Sequence, residues 1–129
     1  MSSRDKILAL DLGANKTGLA LATEGFVVGR GVIGGYNDLT KLFSDLAEVI
    51  KKEGEVGKIV IGIPRSKSGE REKAYRTYIN ALNKEFGLAI ETVDETLTSR
   101  EARARGARAQ DDEEAAKIIL EDYLAQNRH

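Results

Sequence analysis

The sequence predicts one α/β domain built on a mixed five-stranded sheet with helices on its flanks. Three observations support this fold class. Short apolar runs separated by turn signals open the chain, segments with helical periodicity then alternate with further apolar runs, and the 129 residues are 41% hydrophobic. That length and composition suffice for a single hydrophobic core, so we expect residues 1–129 to fold as one domain.

The first three elements are predicted to be antiparallel strands. Apolar runs cover residues 7–12, 17–22 and 26–33, and turn signals separate them at residues 13–16 and 24–25. Connections this short join neighbouring antiparallel strands, so the three runs should form consecutive hairpins.

Helices and strands alternate in the rest of the chain. Asp38 is a suitable N-cap for a helix whose apolar residues recur at helical spacing over residues 39–50. The run KIVIGI at residues 58–63 suits a central parallel strand. The remaining expected elements are a loop over residues 64–69, a helix over about 70–86 that ends at Gly87, a strand over 88–93, a short arginine-rich helix capped by Thr98 or Ser99, and a last helix from Asp111 or Asp112 to about Gln126.

The predicted order of the main elements is therefore βββαβαβα. Two α–β crossovers after three antiparallel strands give a mixed sheet with helices packed against it. This arrangement resembles the ribonuclease H-like fold.

The composition excludes several kinds of site. The chain has no cysteine, which excludes disulfides and thiolate zinc sites, and its single histidine is the last residue, His129. Since chain termini are usually mobile, histidine-based acid–base chemistry is not expected. Metal chemistry would depend on carboxylates, which suit hard ions such as Mg²⁺ or Mn²⁺.

The charge balance gives no global attraction to nucleic acid. The chain has 20 basic and 21 acidic residues and a net charge of −1, so nucleic-acid binding would need a local basic patch. The apolar run at residues 7–10 is too short for a signal peptide or a membrane span. We therefore expect a cytoplasmic protein with no membrane partner.

Asp11 is the first candidate for a catalytic and metal-binding residue. It lies near the end of a strand that is otherwise apolar. Because an unpaired buried carboxylate is costly, Asp11 should have a metal, a partner or a cleft beside it. The alternative is that Asp11 only caps the hairpin turn.

Glu95 is the second candidate for the same site. It follows the apolar strand AIETV, and carboxylates just past the end of an interior strand reach the crevice where α/β proteins bind ligands. Its neighbour Asp94 points elsewhere if the strand continues. The alternative is that either acid merely lies at the N-terminus of a helix.

Asp112 is the third candidate. Counting back by helical spacing from Ile119 reaches Asp112, so Asp112 heads the apolar face of the last helix. Glu113 aligns instead with Lys117 and Glu121, in what is expected to be a solvated stripe. The alternative is that the DDEE sequence only favours the dipole at a helix N-terminus.

Together these acids predict a metal site. Three carboxylates from two strands and one helix end can hold one or two Mg²⁺ or Mn²⁺ ions. Such ions would activate a water and stabilise the leaving oxygen of a phosphodiester.

Basic residues form two groups that could contact a phosphate backbone. Arg65 and Lys67 belong to the loop after the fourth strand, and Arg71, Lys73 and Arg76 follow them. The second group consists of Arg100, Arg103, Arg105 and Arg108, with Lys16 on the first hairpin. Of these, the residues predicted to bind substrate are Lys16, Arg65, Lys67, Arg100 and Arg103. The alternative is an ordinary solvated surface. No aromatic residue interleaves with these groups, so base stacking is not indicated.

Four segments give the chain a family resemblance over about residues 6–124. They are ILALDLGANKTGLALA, IVIGIP, VDETLTSREA and AAKIILEDYL, in this order. The chain resembles the YqgF/RuvX family of pre-16S rRNA nucleases and Holliday junction resolvase-like proteins.

The resemblance implies a ribonuclease H-like nuclease domain that hydrolyses nucleic-acid phosphodiesters with Mg²⁺ or Mn²⁺. The resemblance assigns the acidic metal-binding residues to Asp11, Glu95 and Asp112. It also implies substrate contact near Gly62, Pro64 and Thr98. Two departures from the family pattern are the loop RSKSGE after IVIGIP and a shortened stretch before the last helix. A register shift there would assign the helix ligand to Asp111 instead of Asp112.

Several functions are compatible with this resemblance. The leading hypothesis is processing of the 5′ end of pre-16S ribosomal RNA, and the alternative enzyme is a resolvase of four-way DNA junctions. The expected partner is accordingly a structured RNA precursor or branched DNA, bound by a monomer or a weak homodimer. A non-catalytic nucleic-acid-binding module is a further alternative.

Overall fold

The structure, a computed structural model of the chain, describes residues 6–63, 70–94 and 111–126. Within these ranges it contains five strands and three helices in the predicted order βββαβαβα. The elements are β1 (Lys6–Asp11), β2 (Lys16–Thr23), β3 (Phe26–Gly34), α1 (Leu39–Glu53), β4 (Val56–Ile63), α2 (Glu70–Phe86), β5 (Ala89–Asp94) and α3 (Asp111–Gln126). The loop expected over residues 64–69 and the expected arginine-rich helix lie outside the described residues.

The five strands form one mixed sheet in the order β3-β2-β1-β4-β5. The hairpin pairs β1–β2 and β2–β3 are antiparallel, whereas β1–β4 and β4–β5 are parallel. The predicted fold class is therefore confirmed. Since β1, β4 and β5 run in the same direction, their carboxyl ends lie at one edge of the sheet, where α/β proteins commonly bind ligands.

The two faces of the sheet are covered by different helices. Along β1, Leu8 and Leu10 contribute to the core on the first face, which α1 and α2 cover through residues such as Leu42 and Leu82. Ala9 points to the second face, because successive side chains of a strand alternate between the faces. The second face packs against α3, and its buried residues include Ala9, Ala20, Ala22, Val60 and Val93 from the sheet with Ala116, Ile119, Leu120 and Tyr123 from the helix.

The second face includes several glycines and alanines where α3 crosses it. A Cβ atom added to Gly62 in β4 would meet the side chain of Ile119. Alanines at positions 9 and 20 likewise present single methyl groups to the helix. The sheet therefore lets α3 approach closely, and Gly62, which the family resemblance assigns to substrate contact, packs beneath α3.

Helix ends follow the predicted signals. The side chain of Asp38 accepts a hydrogen bond from the main-chain N–H of Lys41 at 3.1 Å, which satisfies one of the free donors in the first turn of α1. Gly87 follows the end of α2 with a φ of +65°, a conformation that glycine adopts at little cost. Both predicted helix boundaries are thereby confirmed.

A polar cluster anchors the C-terminal half of α3 to the sheet. The ammonium group of Lys58 in β4 lies 2.7 Å from a carboxylate oxygen of Glu91 in β5, and it donates a hydrogen bond of 2.7 Å to the hydroxyl of Tyr123. The hydrogen bond with Lys58 lowers the pKa of Glu91, and the bond with Glu91 raises the pKa of Lys58. These contacts fix where α3 ends relative to the parallel strands.

No helix within the described ranges is both long and apolar enough to cross a membrane.

Thr17 in β2 is the basis of a stability prediction. Its side chain is fully buried, and its hydroxyl oxygen has no hydrogen-bond partner among the described residues. Since a buried polar group without a partner costs roughly 1–3 kcal/mol, we expect Thr17→Val to raise the free energy of unfolding by about 1 kcal/mol. Urea denaturation measures this change.

The exposed Thr92 of β5 provides the matched control for Thr17. The same substitution at Thr92 removes a hydroxyl that water can reach, so its effect should stay within about 0.5 kcal/mol. A Thr17→Val protein that unfolds at lower urea concentration than the parent would show that the Thr17 hydroxyl stabilises the fold.

Candidate active site

Asp11 ends β1 on the face of the sheet that α3 covers. It continues the alternation of Ile7 and Ala9, which pack in the core beneath α3. Asp11 is half-buried, and its partner across the hairpin is Gly18 of β2. Its side chain therefore lies on the α3 side of the sheet, next to a residue that has no side chain.

The hairpin after Asp11 is held from two sides. The main-chain N–H groups of Tyr36 and Asn37 donate hydrogen bonds of 2.9 Å to the carbonyls of Gly13 and Ala14, respectively. The hydroxyl of Tyr75 in α2 donates a 2.7 Å bond to the carbonyl of Leu12. These bonds fix the main chain directly after Asp11.

A cluster of three tyrosines supports the same hairpin, and sequence reasoning did not find it. The rings of Tyr36 and Tyr78 stack with centroids 4.7 Å apart, and the ring of Tyr75 lies edge-on to both at 6.2 Å. The available signal was the helical spacing of Tyr75 and Tyr78, but nothing in the sequence connected them with Tyr36. The cluster packs against the core on the first face and therefore buttresses the edge that carries Asp11.

Asp112 lies in the first turn of α3, close to Asp11 in space. A Cβ atom added to Gly18 would meet the main-chain carbonyl of Asp112, so the helix begins directly against β2 at that position. Ala116 and Ile119, from whose spacing Asp112 was identified, are buried against the sheet as predicted. The structure thus brings Asp11 and the first turn of α3 together around Gly18.

Glu113 is not part of a solvated stripe, and that prediction is wrong. Its carboxylate accepts a hydrogen bond of 2.7 Å from the main-chain N–H of Gly31 in β3. A Cβ atom added to Gly29 would meet the same carboxylate, so Glu113 lies closely over the strand. Helical periodicity missed this contact because the donor belongs to a distant strand.

Among the basic residues predicted to bind substrate, Lys16 is the one within the described residues. It is exposed at the start of β2 and pairs with Gly34 of β3. This position places a positive charge on the hairpin that follows Asp11. Apart from Lys16 and Gly62, the predicted substrate contacts lie outside the described residues: Pro64, Arg65, Lys67, Thr98, Arg100 and Arg103.

Glu95 also lies outside the described residues, directly after the end of β5. Asp94, the last residue of β5, pairs with Ile63 at the carboxyl edge. In the same sheet Leu10 pairs with Ile61, so β5 ends at about the level of Asp11. The two strands are separated by two strand spacings, roughly 10 Å.

The described residues do not by themselves make a metal site. Within residues 6–63, 70–94 and 111–126, no three acidic or histidine side chains come together in a group that could hold a metal ion. Asp11 pairs with Gly18, and the main-chain carbonyl of Asp112 lies against Gly18. Their side chains carry carboxylate oxygens, which are the hard donors that Mg²⁺ and Mn²⁺ require. The chemistry of these two donors therefore fits such an ion.

Comparison with known proteins identifies relatives over nearly the whole chain. The family described as RuvX, Holliday junction resolvase, matches residues 5–126. A protein of Cupriavidus necator named "Putative pre-16S rRNA nuclease" is 36% identical, and the alignment covers 93% of this chain and 88% of the relative. A protein of Oceanobacillus iheyensis with the same name is 32% identical, with 94% of this chain and 98% of the relative covered.

Among solved structures, the fold is similar to an uncharacterized protein with similarity to peptidase YEAZ from Pseudomonas aeruginosa. The TM-score is 0.50 at 20% sequence identity, and the alignment covers 82% of this chain but 50% of that protein. The chain thus spans half the length of this neighbour. At this identity the likeness concerns the fold.

Proposed function

Because the chain belongs to the family described as RuvX, Holliday junction resolvase, we propose that it is a metal-dependent nuclease that processes the 5′ end of pre-16S ribosomal RNA. Hydrolysis of phosphodiester bonds is the activity common to the family description and to the names of the relatives. The relatives from Cupriavidus necator and Oceanobacillus iheyensis, both named for pre-16S rRNA, favour the RNA substrate. Because the proposed substrate is a ribosomal RNA precursor, we also propose that the protein acts in the cytoplasm.

The main support for the proposal is that β1, β2 and α3 come together at Gly18. Asp11 of β1 pairs with Gly18 of β2, and the main-chain carbonyl of Asp112 in α3 lies against Gly18. Asp11 and the main chain of Asp112, from opposite ends of the chain, thereby both lie next to Gly18.

We propose that Asp11, Glu95 and Asp112 hold one or two Mg²⁺ or Mn²⁺ ions. When bound, such an ion activates the attacking water and stabilises the charge on the leaving oxygen. Asp11 is suited to orient a ligand because its main chain is fixed by the hairpin bonds of Gly13 and Ala14. Asp112 is suited because the packing of α3 on the sheet sets its position.

Positive charges around this edge would bind the substrate. Lys16 is exposed on the hairpin next to Asp11 and can contact phosphate oxygens without base specificity. Further contacts to the RNA backbone are proposed for residues of the two segments outside the described ranges. These are Arg65, Lys67, Thr98, Arg100 and Arg103.

The test uses the purified chain and a 16S rRNA precursor fragment with a 5′ extension. We expect removal of the extension in the presence of Mn²⁺ or Mg²⁺, no cleavage after addition of EDTA, and recovery when Mn²⁺ is added in excess. Gel analysis of end-labelled RNA measures the product. Cleavage at the same rate in EDTA would contradict the metal requirement, and RNA that is bound but never cut would favour a non-catalytic binding module.

The family description favours one other candidate function, the resolution of four-way DNA junctions. Symmetric cutting of a junction needs two active sites, so this function requires a dimer. A junction assay run beside the RNA assay separates the two. If the chain dimerises on the DNA and makes paired nicks in the junction but gives no RNA product, junction resolution replaces RNA processing as the proposed function.

A further inference from the structure

A β-bulge in the edge strand β3 creates an unusual hydrogen-bond donor next to the candidate site. Gly18 pairs with Val32 and Ala20 pairs with Gly29, so β3 contains one extra residue between these two pairs. Gly31 lies in this bulge with a φ of +79°, a conformation that suits glycine. Its main-chain N–H points to Glu113 rather than to β2, and the hydrogen bond is 2.7 Å long.

The strand is shaped to receive the Glu113 side chain. Gly29 leaves the space that the carboxylate occupies, because a Cβ atom there would contact it. Gly31 supplies the donor, and Glu113 is half-buried. A general preference for acids at helix N-termini would apply equally to the exposed Glu114 and does not explain this fit.

We propose that Glu113 is a positioning residue that holds Asp112 in place for metal binding. This inference rests on the proposed metal-binding role of Asp112. Glu113 ties the first turn of α3 to the bulge, and the bulge lies opposite Gly18, where Asp112 meets β2. The hydrogen bond between Lys58 and Tyr123 lies almost three turns further along the helix, so it cannot fix the position of the first turn.

The proposal predicts how substitutions at Glu113 affect metal use. We expect Glu113→Ala to raise the Mn²⁺ concentration for half-maximal cleavage about tenfold, because losing a group that orients a metal ligand typically weakens metal affinity by that factor. Glu113→Gln keeps an oxygen that can accept the Gly31 hydrogen bond, so it should stay within about twofold of the parent. Isothermal titration with Mn²⁺, without RNA, measures the same shift independently of catalysis.

Hydrogen exchange reports the contact itself. The Gly31 amide should exchange faster in Glu113→Ala than in the parent and Glu113→Gln proteins, because its acceptor is lost. Gly29→Ala gives a second route to the same state, since its Cβ would displace the carboxylate. Gly29→Ala should therefore raise the Mn²⁺ concentration for half-maximal cleavage as Glu113→Ala does, and it provides the test if Glu113→Ala folds poorly.

The control is Asp45→Ala on the other face of the sheet. Asp45 of α1 also accepts a hydrogen bond from a β3 amide, that of Gly34 at 3.1 Å, which lowers the pKa of Asp45. Removing the Asp45 carboxylate should lower the free energy of unfolding without changing the Mn²⁺ concentration that cleavage requires.

Two outcomes would contradict the proposal. An unchanged Mn²⁺ affinity in both Glu113→Ala and Gly29→Ala would overturn the positioning role while leaving the proposed nuclease intact. A parent protein that neither binds Mn²⁺ nor cuts RNA would overturn the proposed function and this inference with it.

Discussion

Asp11→Asn is expected to reduce metal-dependent cleavage at least about a hundredfold while leaving the fold intact. Asparagine keeps the size of the side chain but removes the negative charge that a divalent ion requires of its ligand. Asp11 ends β1 next to Gly18, where it faces the first turn of α3. No other acid of β1 within the described residues could replace it, because the rest of that strand is Lys6 followed by apolar residues.

The fold of this variant should persist while its metal binding weakens. Asparagine has nearly the size of aspartate, and the buried residues Leu8, Ala9 and Leu10 of β1 are unchanged. We expect a melting temperature close to that of the parent together with weaker Mn²⁺ binding. Single-turnover cleavage, calorimetric titration with Mn²⁺ and thermal denaturation measure the three quantities.

Asp38→Asn is the matched control for this experiment. Asp38 caps α1 through the N–H of Lys41, and asparagine caps helices about as well as aspartate. The substitution therefore removes one carboxylate charge at a position outside the proposed site, and cleavage should not change. Equal activity of Asp11→Asn and the parent would remove Asp11 from the proposed mechanism.

Gly18→Ala is expected to lower the free energy of unfolding by about 2–3 kcal/mol, a typical cost of overpacking a core. The added Cβ would meet the main-chain carbonyl of Asp112, and a main chain cannot rotate away as a flexible side chain can. The first turn of α3 must therefore move away from β2. Because that turn carries Asp112, cleavage should fall more steeply than the loss of folded protein explains.

Gly34→Ala in β3 provides the comparison for Gly18→Ala. A Cβ at Gly34 would come within 3.2 Å of the side chain of Lys41, which is exposed and can shift. Its effect on stability should stay within about 0.5 kcal/mol. Urea denaturation of both variants, with cleavage measured at a temperature where each is folded, separates the two effects. A Gly18→Ala protein with parental stability and activity would contradict the close packing of α3 on β2.

Local signals in the sequence predicted most of the fold. Alternating or continuous apolar runs located the five strands, and helical spacing located the three helices within the described ranges. Asp38 and Gly87 marked helix ends because caps and positive-φ glycines act on the adjacent turn alone. Local signals also proposed Asp11, as a carboxylate in an otherwise apolar strand, and Asp112, from its place at the head of the apolar face of the last helix.

The tertiary structure alone decided what surrounds those two acids. Sequence periodicity grouped Glu113 with Lys117 and Glu121, since it compares residues only within one helix. The partner of Glu113 is the Gly31 amide, which a bulge in a strand 82 residues away leaves available. Such a donor exists only after β2 and β3 have paired and α3 has packed across them, so no local pattern can encode it. Amphipathic periodicity determines which residues face the core, whereas contacts between distant main-chain groups depend on the completed packing.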